Sequence, residues 1–308
     1  MSMNVLLFTN KTNDHSVEAL ESICTWLTEK DIKHRLFSSG IFEERGSSFD
    51  EISGSITEYD LVCSFGGDGT TLRAAHIVGK TGIPLLSYNF GRLGFLSGAG
   101  VDDLIPAMEA AIDGRLSFDA RCILEVAVLY EDGHVDRQIA VNELAVSRGH
   151  FGRIVELDLS INDTFIATIS GDGILVSTPT GSTGYALSAG GPIISPSHEG
   201  LCVVPIAPHT LTSRAVVTTC KDVISIVPNR QNRQQLVLFI DGEVFWITTA
   251  KEELQNTKGQ GLSTNTASQR EIARVEVSVC PEKLMFARYG AYDFYNHISQ
   301  TFFRGGNA

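Results

Sequence analysis

Gly66-Gly67-Asp68-Gly69 sets three glycines and a carboxylate within four positions, after the apolar run Tyr59 to Phe65 and before a helix-like segment at Thr71-Leu72-Arg73-Ala74-Ala75. Glycines let a backbone approach a bulky anion, and the free amides of a helix start favour negative charge. An acid placed there is electrostatically awkward beside a phosphate unless it handles a proton or a metal. The plainer alternative is a tight strand-to-helix turn in which Asp68 only caps the helix. A cap does not require three glycines around it, so Gly66, Gly67, Gly69 and Thr70 read as a phosphate loop.

A second run, Ser177-Thr178-Pro179-Thr180-Gly181-Ser182-Thr183-Gly184-Tyr185-Ala186-Leu187-Ser188-Ala189-Gly190-Gly191-Pro192, follows an apparent strand. It offers many hydrogen-bonding groups with almost no bulk, which suits a sugar, a phosphate or a base lying flat on the backbone. Pro179, Tyr185, Leu187 and Pro192 argue against a flexible linker, because they stiffen or anchor the segment. Three smaller features accompany these runs. Asn142-Glu143, beside apolar Ala140-Val141, could read the hydroxyls of a ribose, although alone it would pass for a solvated pair. Asp172 sits in Ser170-Gly171-Asp172-Gly173, where a plain turn residue is the alternative. Gly91-Arg92-Leu93-Gly94-Phe95-Leu96 puts an aromatic ring where a base could stack.

Other chemistries lack their residues. The eight histidines share no metal-binding spacing, and His209, between Pro208 and Thr210, reads as structural. No GxxxxGK[ST] loop exists, and Ser182 lies in no GxSxG elbow. A net charge of −12 leaves no basic excess for a nucleic-acid backbone. The six cysteines are widely separated and mostly lie in apolar runs, so they read as buried free thiols in a reducing, cytoplasmic setting. Met1 to Phe8 lacks the basic flank of a signal peptide and reads as a first strand, and no apolar run suffices to span a bilayer.

The elements that must position these residues fall into two patterns. With 308 residues, 43% of them hydrophobic and 19% charged, the chain can build about two cores. In the first third, strands at Asn4 to Thr9, Tyr59 to Phe65 and Ile83 to Asn89 alternate with helices at Ser16 to Lys30 and Thr70 to Val78. That order implies an α/β fold with a parallel sheet, which binds ligands at the carboxyl ends of its strands. Beyond Arg121 the pattern turns to short strands: Leu124 to Tyr130, Val135 to Ala140, Glu156 to Ile161, Thr164 to Ser170, Gly173 to Ser177, Val216 to Thr219, Val223 to Val227, Leu236 to Ile240 and Glu243 to Thr248. These predict an antiparallel β-sandwich. Glu252 to Arg270 is polar and reads as a long exposed loop, followed by a strand at Arg274 to Cys280 and a partly helical, aromatic-rich tail at Phe286 to Phe303. The expected domains are residues 1–120 plus 285–308, carrying the glycine loop, and residues 121–284, carrying the hydroxyl-rich run.

With these residues in hand, the chain resembles the NAD kinase family along nearly its whole length. Phe65-Gly66-Gly67-Asp68-Gly69-Thr70 is similar to that family's GGDG motif, Asn142-Glu143 to its NE element, and Thr178 to Pro196 to its long glycine-rich signature. GGDG alone is shared with lipid kinases and phosphofructokinases. The resemblance implies transfer of the terminal phosphoryl group of ATP or polyphosphate to the 2′-hydroxyl of the adenosine ribose of NAD, with a divalent metal, Mg²⁺, and Asp68 as general base. It implies NAD contacts from Asp68, Gly69, Arg73, Phe95, Asn142, Glu143, Arg153, Asp172, Thr183, Gly184, Tyr185, Ala186, Leu187 and Ser188. It further implies a tail that returns to the first domain, and a homodimer or homotetramer in which a neighbouring subunit completes the site. No metal ligand, nucleic-acid partner or membrane partner is assigned.

Two departures stand out: Gly184, where many relatives carry alanine, and the length of the polar stretch Glu252 to Arg270. The rival enzyme is a lipid kinase of the same superfamily, which would need an apolar cleft or a membrane-facing surface. A non-catalytic dinucleotide sensor is the rival of another class, and the intact Asp68 argues against it.

Overall fold

The computed structural model describes residues 3–9, 14–38, 54–91, 94–149, 154–229, 236–248, 267–268 and 270–304. Its chain divides into two compact units, Met1–Arg121 with Glu282–Ala308, and Cys122–Pro281. The first unit opens with β1 (Asn4–Thr9), α1 (Asp14–Glu29), β2 (Lys33–Ser38), β3 (Leu61–Phe65) and α2 (Asp68–Val78). It continues with β4 (Leu85–Asn89), β5 (Ala99–Gly100), α3 (Leu104–Ile112) and β6 (Ser117–Arg121). The second unit is almost all strand: β7 (Leu124–Tyr130), β8 (Val135–Ala140), β9 (Glu143–Arg148), β10 (Val155–Ile161), β11 (Thr164–Gly171) and β12 (Gly173–Ser177). After the short helix α4 (Tyr185–Ser188) come β13 (Cys202–Ile206), β14 (Val216–Val217), β15 (Ile224–Pro228) and β16 (Leu236–Ile240). β17 (Glu243–Thr248), β18 (Ala267–Ser268) and β19 (Ile272–Val279) complete that unit. β20 (Leu284–Arg288) and α5 (Phe294–Ile298) belong again to the first.

In the first unit the strand order is β2-β1-β3-β4-β20-β6, with β5 beside β4. All neighbours along that path run parallel except β6, which is antiparallel to β20. Both faces of the sheet are covered. Val5 and Leu7 pack with Leu20, Ile23 and Leu27 of α1 and Met108 of α3, while the alternating Leu6 and Phe8 are equally buried. Strands sealed on both faces read as continuous apolar runs, which is how β1 and β3 read in the sequence.

The second unit stacks two sheets, β11-β10-β15-β19-β7-β8 and β14-β13-β12-β9-β16-β17-β18. One core draws Leu124, Val126 and Val128 from the first of these and Leu144, Val146, Ile174 and Val176 from the second. Inward-facing residues alternate along β7, β9, β10, β12, β15 and β16, as a sandwich requires. The other face of the second sheet packs Ala145 and Leu175 against Ala186 and Ile194. The hydroxyl-rich run is therefore folded onto the sheet.

Several expectations are corrected. α2 begins at Asp68, two residues before the expected start, because Gly67 is its N-cap. The tail is partly helical, at α5, but it opens with a strand, Leu284–Arg288, between β4 and β6. β2, β6, β9, β13 and α3 did not stand out, since polar residues interrupt β2 and β6, whereas α3 is apolar nearly all round. All six cysteines are free, but Cys220 is exposed and Cys24 half-buried. The polar stretch 252–270 lies outside the described residues apart from β18 and Arg270.

β6 and β20 also carry a buried ionic knot. Arg121 and Arg288 are 2% and 4% exposed, and both donate to Asp119 Oδ2, at 2.6 Å and 3.2 Å. Burial alone would raise the Asp119 carboxyl. The hydrogen bond and charge of Arg121, joined by those of Arg288, outweigh it and hold the group below the usual carboxylate range. Removing the shared acceptor takes away the carboxylate that offsets two buried guanidinium charges, at a cost of about 3–5 kcal/mol. Asp119→Ala is expected to lower the urea-unfolding free energy by that amount, and an unchanged midpoint would contradict the pairing.

Candidate active site

The glycine loop joins β3 to α2, and its three glycines do different things. A Cβ on Gly66 would overlap the Thr70 side chain, so this glycine permits close packing within the turn. Gly67 and Gly69 have nothing within 4 Å of where a Cβ would lie, so the loop backbone there faces open space. The helix start is further tied by Thr71, whose hydroxyl lies 3.2 Å from that of Ser64 and 3.3 Å from the Gly67 carbonyl.

Asp68 is the first residue of α2, and the N-cap position makes no side-chain hydrogen bond. The capping role considered for Asp68 is therefore not seen. Its Oδ1 is buried with no hydrogen-bond partner. Burial pushes the carboxyl above its ordinary value, opposed by the backbone amides of Leu96 and Phe95 and by the charges of His297 and Arg288. Gly94 lies against it, and any Cβ there would collide with the Asp68 carboxylate.

The turn that holds Gly94 is fixed from two strands. Ser87 Oγ of β4 donates to Leu96 O at 2.5 Å and accepts from Gly98 N at 2.8 Å, and Asn89 Nδ2 donates to Ser97 Oγ at 3.0 Å. Ser97 Oγ in turn accepts from Gly94 N at 2.9 Å. From β20, Arg288 donates to Ser97 O at 2.5 Å and to Phe95 O at 3.4 Å. Phe95 meets His297 edge-on at 4.4 Å between ring centroids and stacks with Phe302 at 6.0 Å. One of its faces is thus already engaged by the tail. Arg73 is exposed on α2, and five residues of helix place it about 140° around the axis from Asp68.

In the second unit, Glu143 opens β9 opposite Ser177 at the end of β12. Thr178 N donates to Asn142 O at 2.8 Å, and Thr178 Oγ1 donates to Val141 O at 2.6 Å. A Cβ at Gly181 would overlap Asn142 O, so this glycine allows the hydroxyl-rich turn to close on the Asn142 backbone. Ser182 is spent inside the loop, with Oγ donating to Pro179 O at 2.7 Å and accepting from Ile194 N at 3.0 Å. Thr183 and Leu187 are half-buried and Ala186 is buried, while Gly184, Tyr185 and Ser188 are exposed. Glu143 is 7% exposed and its Oε2 has no partner. Burial first, then the charge of Asp241, raises its carboxyl to about 7. A Cβ on Gly184 would lie 3.8 Å from that oxygen, an ordinary contact, and 3.3 Å from the Gly181 carbonyl oxygen, a tight one, so an alanine there needs a small shift of that backbone.

Asn142, Glu143 and the Gly184 turn thus come together. Asp172 does not join them: it precedes Gly173, which pairs with Ser147 four residues along β9, or about 13 Å from Glu143. There it pairs with Arg148 Nε at 2.5 Å. Arg153 lies outside the described residues, as do Arg92 and Leu93. Sequence inspection missed Gly94, Arg288, His297 and Asp241. Asp241-Gly242 carries turn chemistry that could have drawn notice, Gly94 lay in the run read only for Phe95, and Arg288 and His297 belong to no recognisable spacing.

The ATP-NAD kinase N-terminal domain family matches residues 5–116, and the ATP-NAD kinase C-terminal domain family matches residues 141–263. An NAD kinase of Caldanaerobacter subterraneus subsp. tengcongensis is 35% identical over 238 residues, covering 76% of this chain and 83% of that relative. One from Geobacter sp. strain M21 is 34% identical over 262 residues, covering 82% and 89%. The crystal structure of yeast NADH kinase complexed with NADH matches with a TM-score of 0.80 at 22% identity, covering 100% of this chain and 88% of that one. An NAD kinase from Archaeoglobus fulgidus in complex with ATP gives 0.67 at 21% identity, covering 92% and 93%. At those identities the structural likeness is one of fold. The sequence matches define a phosphotransferase with a hydroxyl acceptor. The chain belongs to the ATP-NAD kinase family.

Two outcomes follow from the geometry. Gly94→Ala must displace the Asp68 carboxylate, and a misplacement of about 1 Å costs on the order of 100-fold in rate. The variant is expected to remain folded and bind NAD while kcat falls by about that factor, and a wild-type kcat would contradict the contact. For Glu143, the folded value of about 7 lies above the ordinary value of 4.5. Its stabilising effect is therefore fully present below about pH 4.5 and is lost as pH rises through about 7. Between pH 4.5 and 8, wild-type protein should lose up to about 3 kcal/mol of unfolding free energy that Glu143→Gln does not lose. Parallel urea curves for the two proteins would contradict this.

Proposed function

We propose that the chain is an NAD kinase in which Asp68 accepts the proton of the adenosine 2′-hydroxyl as the phosphoryl group is transferred. The overall reaction, NAD to NADP with ATP as donor, follows from family membership. What supports Asp68 as the base is the buried, unpartnered Oδ1 of a carboxyl that burial has raised. A ribose hydroxyl is a poor nucleophile near neutral pH, and a base with a raised pKa is better matched to it. As the new oxygen–phosphorus bond forms, the bond from the terminal phosphorus to the ADP oxygen breaks, the 2′-proton passes to Asp68, and it then leaves to water.

The open backbone at Gly67 and Gly69, at the start of α2, suits the donor phosphates. Asn142 and Glu143, with the turn Thr183, Gly184, Tyr185, Ala186, Leu187 and Ser188, are assigned to the dinucleotide. Asp172, set apart along β12, is assigned to a neighbouring subunit's NAD in a homodimer or homotetramer. Arg73 and Arg153 remain assigned to NAD as lesser contacts.

Among the described residues no group of three His, Cys, Asp or Glu side chains is placed to hold a metal ion. Mg²⁺ is assigned to the donor's phosphates, where it would supply neutralisation of their charge. Polyphosphate as an alternative donor and a cytoplasmic location belong to the same proposal. No helix among the described residues is long and apolar enough to cross a membrane.

The test is phosphorylation by purified protein with NAD, Mg²⁺ and either ATP, another nucleotide or polyphosphate. NADP should form, and Asp68→Asn should nearly abolish it, by roughly 100-fold or more, while NAD still binds. An active Asp68→Asn enzyme would remove the base. Phosphorylation of diacylglycerol or sphingosine instead of NAD would replace the proposal with the lipid-kinase one.

A further inference from the structure

Asp241 has no role in the assignment above, yet it hydrogen-bonds Glu143 and the two residues before it. It stands at the β16–β17 turn with φ 49°, ahead of Gly242 at φ 80°. Its Oδ2 accepts from Val141 N at 2.7 Å, and its Oδ1 accepts from Asn142 N at 2.7 Å and from Glu143 N at 2.9 Å. Its own amide donates to Glu143 O at 3.0 Å. One aspartate therefore grips three consecutive residues, while Thr178 holds the carbonyls of Val141 and Asn142 from the opposite strand. The backbone at Asn142 and Glu143 has no slack left.

We infer that Asp241 is the positioning residue for Asn142 and Glu143, fixing their backbone for NAD and opposing a second negative charge beside it. The inference rests on the assignment of Asn142 and Glu143 to NAD. Three amide donors to a single carboxylate are charge-assisted hydrogen bonds, stronger than bonds to a neutral acceptor. Among the described residues, Asp241 is the charged group acting on Glu143. β12 brings the hydroxyls of Ser177 and Thr178, the Gly184 turn brings backbone, and α4 brings Tyr185, which is 44% exposed.

This arrangement has a consequence for ligand binding. A ribose hydroxyl donates best to an ionised carboxylate, but Glu143 holds its proton up to about pH 7. NAD binding should therefore weaken on the acid side of neutrality, where a proton must leave first. Asp241→Asn removes the fixed charge, and its amide nitrogen cannot accept from a backbone N–H. It should both weaken binding and move the acid limb to lower pH.

The experiment is calorimetric titration of NAD into the full-length protein from pH 5.5 to 8.5. Asp241→Asn is expected to raise the Kd at pH 8 by about tenfold and to shift the acid limb downward, and Glu143→Gln is expected to erase the limb. A folded Asp241→Asn protein with wild-type Kd and an unmoved limb overturns the inference. If Asp241→Asn does not fold, Asp241→Glu decides: charge is kept but the three amides are misplaced, so affinity should fall while the limb stays. Unchanged affinity in that variant overturns the positioning role. Wild-type protein that binds no NAD overturns the functional assignment itself, whereas NAD binding that Asp241 variants leave untouched overturns this inference alone.

Discussion

A carboxylate pressed against a glycine backbone is the constraint on which the first unit's site depends. Asp68 could be solvated at the mouth of its loop, as acidic residues at helix starts commonly are. Gly94 instead lies so close that any side chain there would occupy the carboxylate's position. Desolvation follows, and with it a carboxyl whose proton affinity is raised despite the nearby Arg288 guanidinium and His297 imidazole. Holding Gly94 in place takes Ser87 and Asn89 from one strand and Arg288 from another. Arg288 is itself held by Asp119, which Arg121 shares. A buried ionic knot thus supports a turn, and the turn sets the environment of one oxygen atom.

The second unit uses similar means for a different purpose. A buried carboxylate, Glu143, is again left with one unpartnered oxygen, and a glycine again allows the closest approach of backbone, here Gly181 on Asn142. Its neighbour is the carboxylate of Asp241, where Asp68 has the Arg288 guanidinium and the His297 imidazole. Glu143 therefore stays protonated to a higher pH than an ordinary glutamate. Both oxygens are costly to bury unpaired, and a ligand hydroxyl could satisfy either.

Much of the fold was legible because strand residues carry their own pattern: a continuous apolar run where both faces are sealed, as in β1 and β12, and alternation or bounding turn residues elsewhere. β1, β7, β8, β12, β16 and β17 have the bounds that their residues suggested. β6 and β20 were less visible, since Asp119, Arg121 and Arg288 interrupt them with charges that only the paired structure neutralises. Asp68 and Asn142-Glu143 were legible through spacing and resemblance. Gly94 and Asp241 were not, because their importance comes from contacts across 26 and about 100 residues of chain, which no local pattern encodes. The separation of Asp172 from Glu143 is likewise a matter of strand register, invisible until β9 and β12 are paired.

The central claim is that Asp68 is a desolvated carboxyl with raised proton affinity before any substrate arrives. Carboxyl ¹³C NMR of the ligand-free protein, with Asp68 assigned by comparison with Asp68→Asn, reads this directly. The account predicts an inflection above the ordinary aspartate value of about 3.9. An inflection at or below that value would contradict it.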